Sequence, residues 1–202
     1  MSGIIDTVMS NLGDAQIAAI AGQLGTDPAQ ARSAIEHALP LIVGGMAQNA
    51  STPQGAEALH NALGDHAGSD IGSILGSVLA GGGGGSSGIG GAILGHIFGN
   101  NQTAANQGLG QATGLGTQNA GQLLAILAPI VMGILANHAQ NQNLGAGGLG
   151  GMLGQESQQI QQQGGLAGGL LNAVLGHSGG GNLDLSGLLK SAGGLLSAFT
   201  KH

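Results

Sequence analysis

The chain has no cysteine, no tryptophan and no tyrosine, and its aromatic residues are Phe98 and Phe199 alone. Without cysteine there are no disulfides and no thiolate chemistry, and the redox compartment is left open. Without aromatics the core must be built from Leu, Ile, Val, Ala and Met, which pack by shape alone. Basic residues are nearly as scarce. Arg32, Lys190 and Lys201 stand against nine acidic residues, for a formal charge of −6. Nucleic-acid binding relies on clustered Lys and Arg to neutralise phosphates, and an anionic membrane surface asks for the same. Three scattered cations argue against both.

Long hydrophobic runs are missing too. The longest nearly unbroken one, Leu123 to Ala136, has 14 residues and is interrupted by Pro129 and Gly133. A membrane span needs roughly 18–20, so this run reads as a buried core helix. The N-terminus, Met1 to Asp6, has neither the basic region nor the apolar stretch of a secretory signal. A cytoplasmic location follows by default.

What the chain has in abundance is glycine, 44 residues, while charged residues make up only 6%. A surface this poor in charge has weak electrostatic protection against self-association. The chain also repeats itself: from Gly3 to Ala50, residue i resembles residue i+89 without a gap. Ile4-Ile5 matches Ile93-Leu94, Val8-Met9 matches Ile97-Phe98, Gly25 matches Gly114, Ala31 matches Ala120, and Pro40 matches Pro129. What recurs is apolar spacing, glycine and proline, the mark of a duplicated packing unit rather than a duplicated active site.

The periodicity predicts helices throughout. Ile4, Ile5, Val8, Met9 and Leu12 share one face, and Gly13 closes the first helix. Asp14 is a good N-cap for a second, with Ile17, Ile20, Ala21 and Leu24 inward and Gly25 as its stop. Asp27-Pro28-Ala29-Gln30 reads as N-cap, N1 proline and capping glutamine. It opens a long helix from Pro28 to about Gln48, striped by Ala31, Ile35, Ala38, Leu39, Ile42 and Met46. Pro40 should kink or split it. Thr52-Pro53 starts a fourth helix with Leu59 and Leu63 inward and Gly64 closing. Ile71 to Leu79 gives a fifth, and Gly81 to Gly88 a flexible connector.

The second half runs the same course: Ala92 to Phe98, Thr103 to Ala112, then a long helix from Thr117 to Ala139. Leu144 to Gly151 is too rich in glycine to assign. Gln155 to Gln163 is a polar helix or linker, and Leu183 to Phe199 an amphipathic helix broken by Gly193-Gly194. No strand is predicted anywhere. The fold class is all-α, as two tandem similar helical units. Residues 1–80 form the first unit, 81–91 a Gly/Ser linker, 92–177 the second unit, and 178–202 a glycine linker with the C-terminal helix.

The histidines His37, His60, His66, His96, His138, His177 and His202 are the only plausible catalytic or metal-binding stock. The best candidates are His96 after Ala92-Ile93-Leu94-Gly95 and His177 after Ala173-Val174-Leu175-Gly176. Both read better as helix-end histidines meeting orphan carbonyls than as a shared metal or proton site. His60 and His66 with Asp65 and Asp70 read as a solvated face. Arg32 and Glu36, four apart beside His37, read as a surface ion pair. The glycine runs lack the preceding strand of a dinucleotide loop and the Lys of a P-loop, and Gly84-Gly85-Ser86-Ser87-Gly88 lacks the strand of a nucleophile elbow. No catalytic, cofactor-binding or metal residue is assigned, and an enzyme is not expected.

Leu24-Gly25-Thr26 followed by Ala38-Leu39-Pro40-Leu41-Ile42-Val43-Gly44-Gly45-Met46 resembles the core pattern of the YidB-like family of bacterial proteins of unknown function. Gly114-Leu115-Gly116-Thr117 leading to Leu124 to Gly133 resembles it again. The resemblance implies an all-α fold with a homeodomain-like helical core and no established activity. A homeodomain-like form invites a DNA-binding role, yet the would-be reading helix, Pro28 to Gln48, carries only Arg32 as a cation. The expected function is therefore protein–protein contact, chiefly self-association, without a cofactor or small-molecule substrate. The alternatives are a DNA-associated regulator and peripheral membrane association through the tail.

Overall fold

The computed structural model describes residues 4–66, 72–73, 76, 89–163 and 168–169. The Gly81 to Gly88 connector, His177, His202 and the Leu183 to Phe199 stripe lie outside the described residues, as does most of the helix expected over Ile71 to Leu79. Among the described residues the structure is all-α, with no strand. The helices are α1 (Ile4–Asn11), α2 (Asp14–Leu24), α3 (Pro28–Asn49) and α4 (Pro53–His66), then α5 (Ile89–Phe98), α6 (Gln102–Thr113), α7 (Gly116–Asn141) and α8 (Ala146–Gln163). A 3-10 turn, Gly99–Asn101, joins α5 to α6.

The first repeat is punctuated largely as its sequence predicts. Gly25 ends α2 at φ 65°, and the Thr26 N–H donates back to the Ala21 carbonyl at 3.0 Å. This left-handed stop leaves no room for strain only because glycine has no Cβ. Gly114, the matching residue of the second repeat, ends α6 at φ 72°. The Asp27 carboxylate accepts from the Gln30 N–H at 2.9 Å, with Pro28 at the first helical position. The Gln30 side chain accepts from the Thr26 hydroxyl. Thr52 caps α4 through Gly55 N–H at 3.1 Å, and Leu59 and Leu63 point inward.

Five local expectations need correction. Asp14 is the first residue of α2, not its cap; Gly13 holds the extended N-cap conformation with no side-chain bond. The Arg32 guanidinium pairs with Asp14 rather than Glu36, because α2 brings a carboxylate across the helix–helix seam. Helix α4 runs past Gly64 to His66, and α5 begins at Ile89, inside the expected linker. Of the two readings of Gln155 to Gln163 the helix holds, and it extends back through the unassigned stretch to Ala146 as one helix, α8, held by buried Leu149, Leu153 and Ile160 despite its glycines.

Helices α3 and α7 form the centre. Ala38 to Ala47 and Leu123 to Ala136 are buried at every position, so these stretches of the two helices are enclosed all round and not merely striped. Both continue through their prolines unbroken. Proline has no N–H, so it leaves the carbonyl four residues earlier without its helical donor. For Pro129 that carbonyl belongs to Ala125, and the backbone of Gly90 closes on it: a Cβ at position 90 would sit 1.9 Å from the Ala125 oxygen. The proline and the glycine together let α5 lie directly against α7.

Around this centre α2 packs on α3 and α6 on α7, while α4 packs on α7 and α8, and α8 on α3 and α4. The hydrophobic cluster is continuous across both repeats, and among the described residues it holds no buried polar or charged side chain. Each fully buried Leu or Ile contributes roughly 1.5–3 kcal/mol relative to exposure. Helix α7 is long and apolar enough to cross a membrane, but 83% of its most apolar window is buried among other helices. That burial makes it a core helix.

Candidate interaction site

Two open grooves flank α4. One, of about 300 Å³, lies between Ala58, Leu59 and Ala62 of α4, Ile93, His96 and Ile97 of α5, Met132 of α7 and Asn49 at the end of α3. Its walls are mainly aliphatic. Leu59, Ile97 and Met132 form the floor, Ile93 and Ala62 are half-buried, and Ala58 and His96 stand exposed at the rim. The second groove, of about 290 Å³, is lined by His60, Leu63 and Gly64 of α4 and by Ala136, Ala139, Gln140, Asn143 and Leu144. Asn143 takes a left-handed conformation, φ 51°, which turns the chain from α7 into α8. The Leu144 N–H then donates to the Ala139 carbonyl at 2.8 Å.

The candidate histidines do not converge. His96 lines one groove and His60 the other. The Nδ1 of His37 lies 2.8 Å from the Ser33 carbonyl of its own helix. The Nε2 of His138 lies 3.2 Å from the Gln142 amide. Among the described residues no three His, Asp or Glu side chains gather closely enough to hold a metal ion. The side chains of Asp65 and His66 lie outside the described residues.

Two polar contacts between the repeats were not legible in the sequence. The Asn49 side chain donates to the His96 carbonyl at 3.1 Å, and the Asn119 side chain donates to the Leu24 carbonyl at 3.2 Å. Each satisfies an orphan carbonyl at the end of a helix from the other repeat. Asparagine on a long helix gives no local signal for such a partner. Gly45 was also missed; a Cβ there would stand 2.6 Å from Cγ2 of Ile97. The missing side chain lets α3 approach α5 under the first groove.

A family model described as a bacterial protein of unknown function (DUF937) matches residues 6–138. The chain belongs to this YidB-like family. No curated protein and no solved structure matches it. The YidB-like match runs from α1 into the last turns of α7. It includes every residue lining the α4–α5 groove, whereas part of the second groove and all of α8 lie beyond it.

Proposed function

We propose that this YidB-like protein is non-enzymatic and works by protein–protein contact, with a second copy of itself docking in the α4–α5 groove. The observation that carries this reading is the groove itself: an aliphatic hollow floored by Leu59, Ile97 and Met132, with Ile93 and Ala62 open to a partner. Apolar area of this kind gains free energy on being covered. With charged residues at 6% of the chain, few like charges oppose the approach of a second copy. Among the described residues the interior is apolar apart from the Asn106 amide oxygen, which supports a role in contact over one in catalysis. Tuned acids and bases draw on buried or closely paired titratable groups, and the core of the described residues holds none.

The DNA-associated alternative draws little support. A reading helix must offer an exposed face to a groove, and Ala38 to Ala47 of α3 are enclosed. Its one cation, Arg32, is paired with Asp14. Membrane association through residues 178–202 falls outside the described residues.

Sedimentation velocity on the wild-type chain and on Ile93→Glu tests the reading. The expected result is a wild-type mass that rises with concentration and a variant that stays at the chain mass with unchanged helicity. A wild-type chain that remains a single monomeric species at every concentration overturns it.

A further inference from the structure

The helix contacts are reciprocal between repeats. Helix α3 lies on α6 as α7 lies on α2, and α5 lies on α3 as α1 lies on α7. The fourth helices follow the same rule: α4 packs on α7, and α8 packs on α3. Gly150 of α8 sits so close to the end of α3 that a Cβ there would be 3.1 Å from the Ala50 carbonyl. The Asn119 to Leu24 and Asn49 to His96 hydrogen bonds also join the repeats, at positions that are not counterparts of each other. Contacts in which element i of one unit meets element j of the other, and j meets i, are those of an isologous dimer. Each repeat packs its fourth helix on the long helix of the other, beside the helices of that long helix's own repeat.

We propose that the repeat is a pairing unit, and that two copies of this chain can associate by exchanging repeats. In that assembly α1–α4 of one copy closes on α5–α8 of another through the same contacts that close the single chain. The partner is a second copy because the surface that each repeat presents is already complementary to a repeat. Exchange of an identical element replaces every contact with its equivalent, so it sacrifices none of the core. This rests on self-association as the chain's mode of action, but uses a different surface from the α4–α5 groove.

Two arms test it. In the first, a protease site is inserted between Gly84 and Gly85 and the folded full-length chain is cut. The expected product is one particle containing both fragments at the uncut mass and helicity. Isotope-labelled and unlabelled cut chains, mixed and read by native mass spectrometry, should then form hybrid particles. Fragments that separate into two independently helical species overturn the proposal, as does a cut particle that forms no hybrids. In the second arm, residues 79–86 are deleted from the intact chain. A helical particle of twice the chain mass, unaffected by Ile93→Glu, supports exchange, and a helical monomer contradicts it. Should the deleted chain fail to fold, the cut chain decides. A groove-dependent dimer whose cut fragments never exchange would sink repeat exchange while leaving the groove reading intact.

Discussion

Asn119, in the first turn of α7, donates its side-chain amide to the carbonyl of Leu24, the last residue of α2, at 3.2 Å. One residue belongs to the second repeat and the other to the first. The bond is half-buried and closes a helix end that its own repeat leaves open. Asn119→Ala should therefore lower stability by about 1 kcal/mol. For a chain of this size that corresponds to a drop in Tm of roughly 2–4 °C. Thermal unfolding followed by circular dichroism reads it, and an unchanged Tm would show that the bond contributes nothing.

Gly90 and Gly95 lie on the same helix and should respond in opposite directions to alanine. A Cβ at 90 would meet the Ala125 carbonyl oxygen at 1.9 Å, whereas a Cβ at 95 would meet nothing within 4 Å. Backbone cannot step aside as a flexible side chain can, so Gly90→Ala should destabilise by about 1–3 kcal/mol. Gly95→Ala should stabilise by up to about 1 kcal/mol through helix propensity. Urea denaturation of both variants checks the sign, and equal effects would contradict the close approach of α5 to α7.

Asn106 carries the one buried side-chain oxygen without a hydrogen-bond partner among the described residues. At the matching position the first repeat has Ile17, which is buried in the core. Leaving a buried acceptor unpaired costs about 1–3 kcal/mol. Asn106→Leu is expected to raise the urea midpoint, and a lowered midpoint would mean that the amide is satisfied or that the site is too tight.

Much of the fold was legible because the strongest local signals are physical necessities. Gly25 stops a helix by taking a positive φ, and Asp27-Pro28 starts one by satisfying an orphan N–H. The run Leu123 to Ala136 reads as a core helix, and the structure encloses it. Other features depend on neighbours that periodicity does not reveal. Arg32 has two carboxylates in reach of its arm, and only the packing of α2 on α3 decides for Asp14. Helix α8 reads as an unassigned glycine-rich stretch followed by a polar helix or linker until α3 and α4 supply the surface that buries Leu149 and Leu153. The α4–α5 groove assembles residues from four helices, so no contiguous motif announces it.

Ile35 and Leu124 occupy matching positions on α3 and α7, and both are fully buried in one continuous cluster. Ile35→Ala and Leu124→Ala should each cost about 2–5 kcal/mol. Each should lower one common unfolding transition. A variant that melts only its own repeat, leaving half of the helical signal at the wild-type midpoint, would mean that the repeats have separate cores.

Amide hydrogen exchange read by mass spectrometry, on the wild-type chain at low and at high concentration, tests the account most directly. The two repeats are held to form one body whose α4–α5 face receives a second copy. At low concentration, peptides from the middle of α3 and of α7 should therefore open with the same free energy. At high concentration, protection should rise in peptides covering 58–62 and 93–97. Unequal opening of α3 and α7 would contradict the shared core, and protection of 58–62 and 93–97 that does not change with concentration would contradict the groove as the site of self-association.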